Sequence, residues 1–252
     1  MLKAAKNILE GFVNRELQAT TMACREAVRL EKEKTPLRYD IINWFISQSN
    51  PKRYLEIGVR NLDDCFNRIQ TDTKLSVDPG FEVEVNLADI PLTSDQFFDS
   101  LRKGELNVPF SKFDVIFIDG LHTAEQTYRD IVNSLEFVSD SGCILLHDCN
   151  PPTRFHARED YAESGPAGRH WNGTTWKAIQ RFRTDHDNEC HVIDTDWGVG
   201  VIHCGTQVTE RLSSEINPFY EFAVLEANRK KILNLVDFEK AKELYLSIAK
   251  DN

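Results

Sequence analysis

Short apolar runs alternate with amphipathic segments through the middle of the chain, roughly residues 51–205. Two of the runs, VIFI and CILL, are apolar on both faces, which is typical of parallel strands covered by helices on both sides. Alternation of this kind predicts a doubly wound α/β sheet. The predicted strands cover residues 54–58, 75–78, 81–85, 113–119, 143–148, 191–194 and 199–203, and the predicted helices cover residues 62–69, 94–101, 123–138 and 174–183.

Helical periodicity continues at both ends of the chain. We expect one compact unit with a helical N-terminal extension (1–50), an α/β domain (51–205) that carries an insertion at 151–175, and a helical C-terminal extension (206–252). Asp237 is a candidate N-cap for a final helix. The apolar stripes of the terminal helices are compatible with core packing or with a homodimer interface. The first stripe consists of Leu2, Ala5, Leu9, Phe12 and Val13.

Composition and charge exclude several classes of protein. Of the 252 residues, 41% are hydrophobic and 28% are charged, which is typical of a globular chain. The net charge of −10 argues against nucleic-acid binding and against docking on anionic membranes. No apolar run approaches the ~18 residues of a membrane span, and the N-terminus lacks the apolar core of a signal peptide. The cysteines form no C-x-x-C pair, so we expect reduced thiols and a cytoplasmic location.

Ligands of doubly wound sheets bind beyond the carboxyl ends of the strands. At the first strand end, Gly58 lets a ligand approach the backbone, and the predicted helix after it favours an anionic group. Glu56 and Arg60 flank this glycine. Asp78 ends the second strand, where an acidic residue accepts hydrogen bonds from ribose hydroxyls, so an adenosine-containing ligand is expected. No G-x-G-x-x-G follows the first strand, which argues against a nicotinamide-dependent oxidoreductase.

Two later strand ends carry the sequences DGLH and HDCN. Asp119 and Asp148 then lie on adjacent strand ends, where two carboxylates are suited to a hard cation such as Mg²⁺. His122 is a candidate general base, because the unperturbed pKa of histidine is about 6.5. Inward packing of His147 and a turn-capping role for Asp148 are the alternatives.

Residues 151–175 are a long irregular segment directly after Asp148, and loops of this length often act as lids or binding loops. A surface loop whose tryptophans pack beneath it is the alternative.

Further along the chain, Asp196 precedes Trp197-Gly198 and is expected in a turn. The residues predicted to contact an acceptor are His147, Asn150, His156, Arg158 and Trp171, and the arginine is suited to a carboxylate or phosphate.

The motifs YLEIGVR, SVDPG, FDVIFIDGLH and CILLHD, in this order, resemble class I S-adenosylmethionine-dependent methyltransferases. The nearest likeness is to the small-molecule O-methyltransferase-like group with an ID-G-x-H element, over about residues 52–205. The resemblance implies a Rossmann-like, mostly parallel seven-stranded sheet that ends in an antiparallel strand pair. It also implies that Glu56 and Gly58 flank S-adenosylmethionine, with Arg60 and Asp119 nearby, and that Asp78 holds its ribose.

A looser likeness to metal-dependent catechol-type methyltransferases implies a cation site of Asp119, Asp148 and Asn150. His122 stands where those enzymes carry a catalytic lysine. The family's Asn position is Cys149 here, and cysteine is a poor Mg²⁺ ligand. The usual second glycine of the cofactor loop is Leu62.

The function implied is methyl transfer from S-adenosylmethionine to an oxygen of a small sugar or phenol-like acceptor. His122 is expected to be the base, and Asp119 and Asp148 are expected to orient the acceptor or a Mg²⁺ ion. Two alternatives stay open. One is a metal-dependent enzyme of another class that uses these residues together with His147. The other is a non-catalytic binding module, which Leu62 in the glycine loop keeps open.

Overall fold

Seven α-helices, seven strands and two short 3₁₀ helices account for the regular structure of the described residues, 2–208 and 210–251, in this computed structural model. Side chains are described for residues 11–208 and 210–248. The helices are α1 (Leu2–Glu33), α2 (Arg38–Gln48), α3 (Ser94–Lys103), α4 (Ala124–Phe137), α5 (Thr175–Asp185), α6 (Phe222–Leu233) and α7 (Phe238–Asp251). The strands are β1 (Tyr54–Ile57), β2 (Lys74–Val77), β3 (Phe113–Ile118), β4 (Val138–Leu146), β5 (Asn188–Ile193), β6 (Val199–Gln207) and β7 (Leu235–Val236).

The strands form one mixed sheet in the order β2-β1-β3-β4-β6-β5-β7. β1 pairs in parallel with β2 and β3, and β3 pairs in parallel with β4. β6 lies antiparallel between β4 and β5, so β5 runs in the same direction as β1 to β4. The predicted Rossmann-like sheet with its antiparallel strand pair is therefore confirmed. β7 pairs in parallel with β5, so the carboxyl ends of six strands, β1 to β5 and β7, meet at one edge.

Alternate residues of the central strands enter two separate apolar cores. On one face, Leu55, Ile116 and Leu146 pack beneath α3, α4, α5 and α6. On the other face, Val115 and Phe117 pack beneath α2 and α7. Each such side chain stabilises the fold by about 1.5–3 kcal/mol when it is fully buried. Helices thus cover both faces of the sheet, as the two-sided apolar runs predict.

The prediction of a helix at residues 62–69 is wrong. The chain instead makes turns that end in a 3₁₀ helix at Phe66–Arg68. A local side chain there competes with helical hydrogen bonding, because the Asp63 backbone N–H donates to Asn61 Oδ1 at 3.1 Å. No α-helix N-terminus therefore follows Gly58. The backbone is not left-handed at Asn61 or Leu62, so Leu62 introduces no strain.

The strand predicted at residues 81–85 is also wrong. The Gly80 N–H donates to the Asp78 carboxylate at 2.6 Å, and the Asn86 amide donates to the Asp78 carbonyl at 2.7 Å. These bonds close a loop in which Phe81 is 84% exposed. The chain meets the edge of β2 again at Asp89, which exchanges hydrogen bonds with Ser76, and at Ile90, which forms a bridge with Val77. The seventh strand of the sheet is β7, which pairs with β5.

The terminal helices differ in how they pack. Cys24 and Val28 of α1 are buried, whereas Phe12 and Val13 are exposed, and the side chains of Leu2, Ala5 and Leu9 lie outside the described part. In α7, Asp237 caps the first turn as predicted, accepting from the Lys240 N–H at 2.8 Å. A homodimer through these helices stays a prediction. No helix in the described ranges has the apolar length that a membrane crossing requires.

Candidate active site

Ionisable residues gather at the edge where the six co-directional strands end. Asp78 follows β2, Asp119 follows β3, Asp148 closely follows β4 and Asp196 lies in the turn after β5. Asp119 and Asp148 therefore lie on adjacent strand ends, as the sequence predicts. The backbone is left-handed at Asp148 and Asp196, with φ of 59° and 44°. Such conformations carry strain in non-glycine residues and often mark functional sites.

Two histidines join the carboxylates of Asp119 and Asp148. Nε2 of His122 lies 3.4 Å from Asp119 Oδ1, and its Nδ1 lies 3.0 Å from Asp148 Oδ2. Nδ1 of His147 lies 3.2 Å from Asp119 Oδ1 and 3.3 Å from Asp148 Oδ2. The fully buried Asn172 donates to Asp148 Oδ1 at 2.7 Å. We call Asp119, His122, His147, Asp148, Asp196 and Arg38 the strand-end cluster.

Sequence reasoning missed Arg38, the first residue of α2. Its Nη1 donates to Asp119 Oδ2 at 2.8 Å, and its Nε donates to Asp196 Oδ2 at 3.0 Å. The Arg38 backbone N–H also donates to Asp196 Oδ2 at 2.8 Å. Asp196 is in a turn as predicted, but it also links this edge of the sheet to α2. No local signal in the sequence distinguishes Arg38 from an ordinary arginine on a helix.

Mutual charge fixes the protonation of the cluster. Burial alone lowers the pKa of His122, but the negative charges of Asp148 and Asp119 outweigh burial and raise it to about 10. Burial likewise opposes ionisation of Asp148, yet the neighbouring His147 and His122 lower its pKa to about 2. The pKa of His147 is also raised well above its usual value by the two aspartates, against burial and Arg38. At neutral pH the site thus holds imidazolium and carboxylate groups.

The turn after β1 packs tightly against the end of β3. Gly58 has φ of 89°, and a Cβ there would lie 2.3 Å from the carbonyl oxygen of Asp119, so only glycine fits. The next N–H, of Val59, donates to Asp78 Oδ2 at 2.8 Å and joins the ends of β1 and β2. Arg60 is exposed on this turn, 3.8 Å from Glu82.

Glu56 lies beneath this turn and is buried. It accepts a 2.6 Å hydrogen bond from the Tyr54 hydroxyl. Burial raises the pKa of Glu56 to about 8, although the bond from Tyr54 acts in the opposite direction. Its side chain is therefore neutral at pH 7. It is buried within the protein, two residues before Gly58 in the chain.

A family model described as a methyltransferase domain matches residues 55–149. The match begins in β1 and ends just after Asp148. Residues 55–149 are thus similar to a methyltransferase domain. The matched segment contains Gly58, Asp78, Asp119 and His122, so all of the strand-end cluster except Arg38 and Asp196 lies inside the methyltransferase domain.

Solved structures of low sequence identity also resemble the chain. A Corynebacterium glutamicum protein is 11% identical, with 82% of this chain and 100% of that chain covered and a TM-score of 0.45. An O-methyltransferase from Bacillus cereus, in complex with SAH, is 14% identical over 71% and 90% of the two chains, with a TM-score of 0.39. An SAH-bound methyltransferase from Podospora anserina is 16% identical over 77% and 95%, with a TM-score of 0.43. A comparison with curated proteins gave no match.

The insertion places one of its predicted contact residues against the methyltransferase domain's cluster. The indole of Trp171 stacks on the His122 imidazole, with centroids 5.2 Å apart and an interplanar angle of 16°. Trp171 Nε1 donates to the Arg158 carbonyl at 2.8 Å. Tyr161 meets the edge of Trp171 at 5.5 Å and is itself exposed. An aromatic wall therefore runs from His122 towards solvent.

Three other predicted acceptor contacts have partners within the protein. Arg158 donates to backbone carbonyls of the insertion, including Phe155 at 2.8 Å, so its guanidinium organises the loop. His156 is fully buried and shares a 2.8 Å hydrogen bond with Thr153. The Asn150 amide donates to Asp194 at 3.0 Å, and its carbonyl oxygen accepts from Arg229 at 2.5 Å.

Within the described residues, Asp119, His122 and Asp148 each offer a donor atom within 4.8 Å of the others, a spacing that suits a metal ion. The chemistry of this set fits Mg²⁺ poorly, because Mg²⁺ prefers oxygen ligands and here one donor is an imidazole nitrogen. Asn150, the predicted third oxygen ligand, directs its amide to Asp194 and Arg229 instead.

Proposed function

We propose that the protein transfers a methyl group from S-adenosylmethionine to an oxygen of a small molecule, and that the acceptor is phenol-like rather than a sugar. The observation that carries the proposal is the placement of His122. It lies between Asp119 and Asp148 within the methyltransferase domain, one strand away from the joined ends of β1 and β2. The edge of the sheet that would hold the cofactor, at the ends of β1 and β2, is thus adjacent to an acid–base group.

The cofactor edge would be formed by Gly58, Arg60 and Asp78. S-adenosylmethionine, when bound, supplies a methyl group on a positively charged sulfur. Asp78 lies half-buried at the end of β2 and accepts from the backbone of both flanking turns, which orients its carboxylate towards ribose hydroxyls. Glu56 supports the turn from below, and Asp119 borders it through the contact between Gly58 and the Asp119 backbone. These residues fit the cofactor without an α-helix after β1.

The acceptor side favours an aromatic ring. Trp171 and Tyr161 present ring faces and edges beside His122, and such surfaces hold planar rings by offset or edge-to-face contact. The phenolic hydroxyl of tyrosine has a pKa of about 10, and the pKa of His122 is also about 10. Proton sharing between groups of matched pKa is efficient. The hydroxyls of sugars are far weaker acids and lack this match.

The protein's own work is positioning and proton transfer. The neutral form of His122 would take the proton of the acceptor hydroxyl, which would leave the acceptor oxygen free to receive the methyl group that the cofactor supplies when bound. Asp119 and Asp148 hold the imidazole in place and stabilise the imidazolium that results. Alignment of sulfur, methyl and oxygen supplies the rest of the rate, because bound reactants avoid the entropy of encounter.

A non-catalytic binding module is the second candidate. It is favoured by the 3₁₀ turn at Phe66–Arg68, which replaces the predicted helix after the glycine. Such a module would bind a nucleoside-containing ligand at Asp78 without methyl transfer.

Calorimetric titration with S-adenosylmethionine and S-adenosylhomocysteine tests the cofactor. We expect micromolar binding that weakens at least tenfold in D78A. Asp72 is exposed at the opposite end of β2, so D72A is the matched control and should bind as the wild type does. Absence of binding up to millimolar concentration would overturn the proposal. Transfer of a labelled methyl group to phenols, but not to sugars, would separate the enzyme from the binding module.

A further inference from the structure

Arg38 bridges two carboxylates that belong to different strand ends. Its guanidinium donates to Asp119 after β3 and to Asp196 after β5, at 2.8 Å and 3.0 Å. The side chains involved are mostly buried, with 24% of Arg38, 17% of Asp119 and 8% of Asp196 exposed. Buried carboxylates need a compensating positive charge, and here the guanidinium provides it from a helix outside the matched domain.

Nitrogen atoms of three side chains already contact the carboxylate oxygens between which an added ion would have to lie. Arg38 Nη1 donates to Asp119 Oδ2 at 2.8 Å. Ring nitrogens of His122 and His147 lie 3.0–3.4 Å from Asp119 Oδ1 and Asp148 Oδ2, which are carboxylate oxygens that Arg38 does not contact. A divalent ion between Asp119 and Asp148 would add two positive charges next to the guanidinium. Such like-charge proximity is costly in a poorly solvated site.

We propose that Arg38 is the resident cation of the strand-end cluster and that it excludes a divalent metal ion from Asp119 and Asp148. Arg38 is a positioning residue, since it acts through the two aspartates that it holds. The inference concerns the same edge as the proposed function, and the metal-independence of methyl transfer that follows from it rests on that function. Metal binding itself is measured without any methyl transfer.

The experiment measures Mn²⁺ binding from the electron paramagnetic resonance signal of the free ion. Wild-type protein should show no stoichiometric site, whereas R38M should bind one Mn²⁺ at least about tenfold more tightly. The double variant R38M/D119N should lose that site, which locates it. Mn²⁺ should also raise the melting temperature of R38M and leave that of the wild type unchanged.

Arg53 offers a matched control. It pairs with Asp114 through its backbone N–H and its guanidinium at 2.9–3.0 Å, as Arg38 pairs with Asp196, but at the start of β3 rather than at its end. The exposed fractions of this pair, 23% and 8%, are similar. R53M should therefore gain no Mn²⁺ site. R38K retains the positive charge and should also exclude the ion.

Two results would overturn the proposal. One is a wild-type protein that binds Mn²⁺ as tightly as R38M does, and the other is a folded R38M that gains no site. If R38M does not fold, the comparison of wild type with R38Q decides in the same way. Lack of methyl transfer by a wild-type protein that excludes Mn²⁺ would count against the proposed function and leave the role of Arg38 intact.

Discussion

The His122 imidazole lies almost parallel to the indole of Trp171, with the ring centroids 5.2 Å apart. Because His122 is protonated at neutral pH, the contact places a cation on an aromatic face, an arrangement worth about 0.5–2 kcal/mol. The insertion and the methyltransferase domain are thereby joined at the group to which we assign proton transfer.

Removal of this indole should weaken acceptor binding selectively. We expect W171A to raise the KM for a phenolic acceptor about tenfold, because an aromatic contact of roughly 1.4 kcal/mol is lost, while cofactor affinity stays unchanged. W171F should recover most of the loss. Tyr161 touches only the outer edge of Trp171, so Y161A should have a smaller effect. An unchanged KM in W171A, measured by steady-state kinetics, would contradict the acceptor assignment.

The rate of methyl transfer should rise with pH. A base must be neutral to accept a proton, and the pKa of His122 is raised to about 10, so its neutral fraction grows about tenfold per pH unit below that value. We expect kcat to climb from pH 7 to 9 in the wild type. H122N should be slow and its profile flat over this range. A flat wild-type profile under conditions where chemistry limits the rate would refute the base role.

The buried Glu56 should make folding less favourable as pH rises. Its pKa in the folded protein is about 8, above its ordinary value of 4.5, so the folded state retains a proton that the unfolded state releases. The free energy of unfolding should therefore fall between pH 4.5 and 8. Urea denaturation at pH 5 and pH 8 should show a smaller loss in E56Q, whereas E82Q, on an exposed loop, should behave as the wild type. Equal losses in E56Q and wild type would rule out this account.

His203 should have the opposite effect in acid. It is 2% exposed, and burial lowers its pKa to about 4. In the unfolded chain His203 binds a proton near pH 6.5, whereas in the folded protein it binds one only near pH 4. The free energy of unfolding therefore falls as pH drops from 6.5 to 4. The contribution of this one group is roughly 3 kcal/mol. H203F, with a ring of similar size, should lose less stability between pH 7 and pH 4.5 in thermal or urea unfolding. A loss as large as that of the wild type would show that other groups govern acid unfolding.

The sequence predicted the parts of the fold that long apolar runs determine. The two-sided runs around Ile116 and Ile144 require burial on both faces, and the parallel sheet brings Asp119 and Asp148 together for that reason. Predictions failed where local hydrogen bonds outweighed periodicity. The Asn61 side chain accepts a hydrogen bond from the Asp63 backbone, and turns form there in place of the predicted helix. The Asn86 side chain donates to the Asp78 carbonyl and closes a loop in place of the predicted strand.

Long-range ion pairs lay beyond the reach of the sequence. Arg38 and Asp119 are 81 residues apart, and an arginine at the start of a helix usually faces solvent. Its role depends on how α2 enters the edge of the sheet, which no local pattern encodes. Trp171 was a predicted acceptor contact, and the structure brings it to His122. The acceptor contacts of Arg158 and His156 stay predictions, although both side chains have partners inside the insertion.

The guanidinium of Arg158 donates to four carbonyls spread over the insertion, those of Phe155, Tyr161, Gly168 and His170, at 2.8–3.4 Å. One side chain thus acts as a hub for a segment that has no strand or helix of its own until α5 begins. A loop ordered in advance spares its ligand the conformational entropy of ordering it. Acceptors should therefore meet a preformed wall, and their relative affinities should follow shape and ring chemistry rather than the ability to induce loop closure.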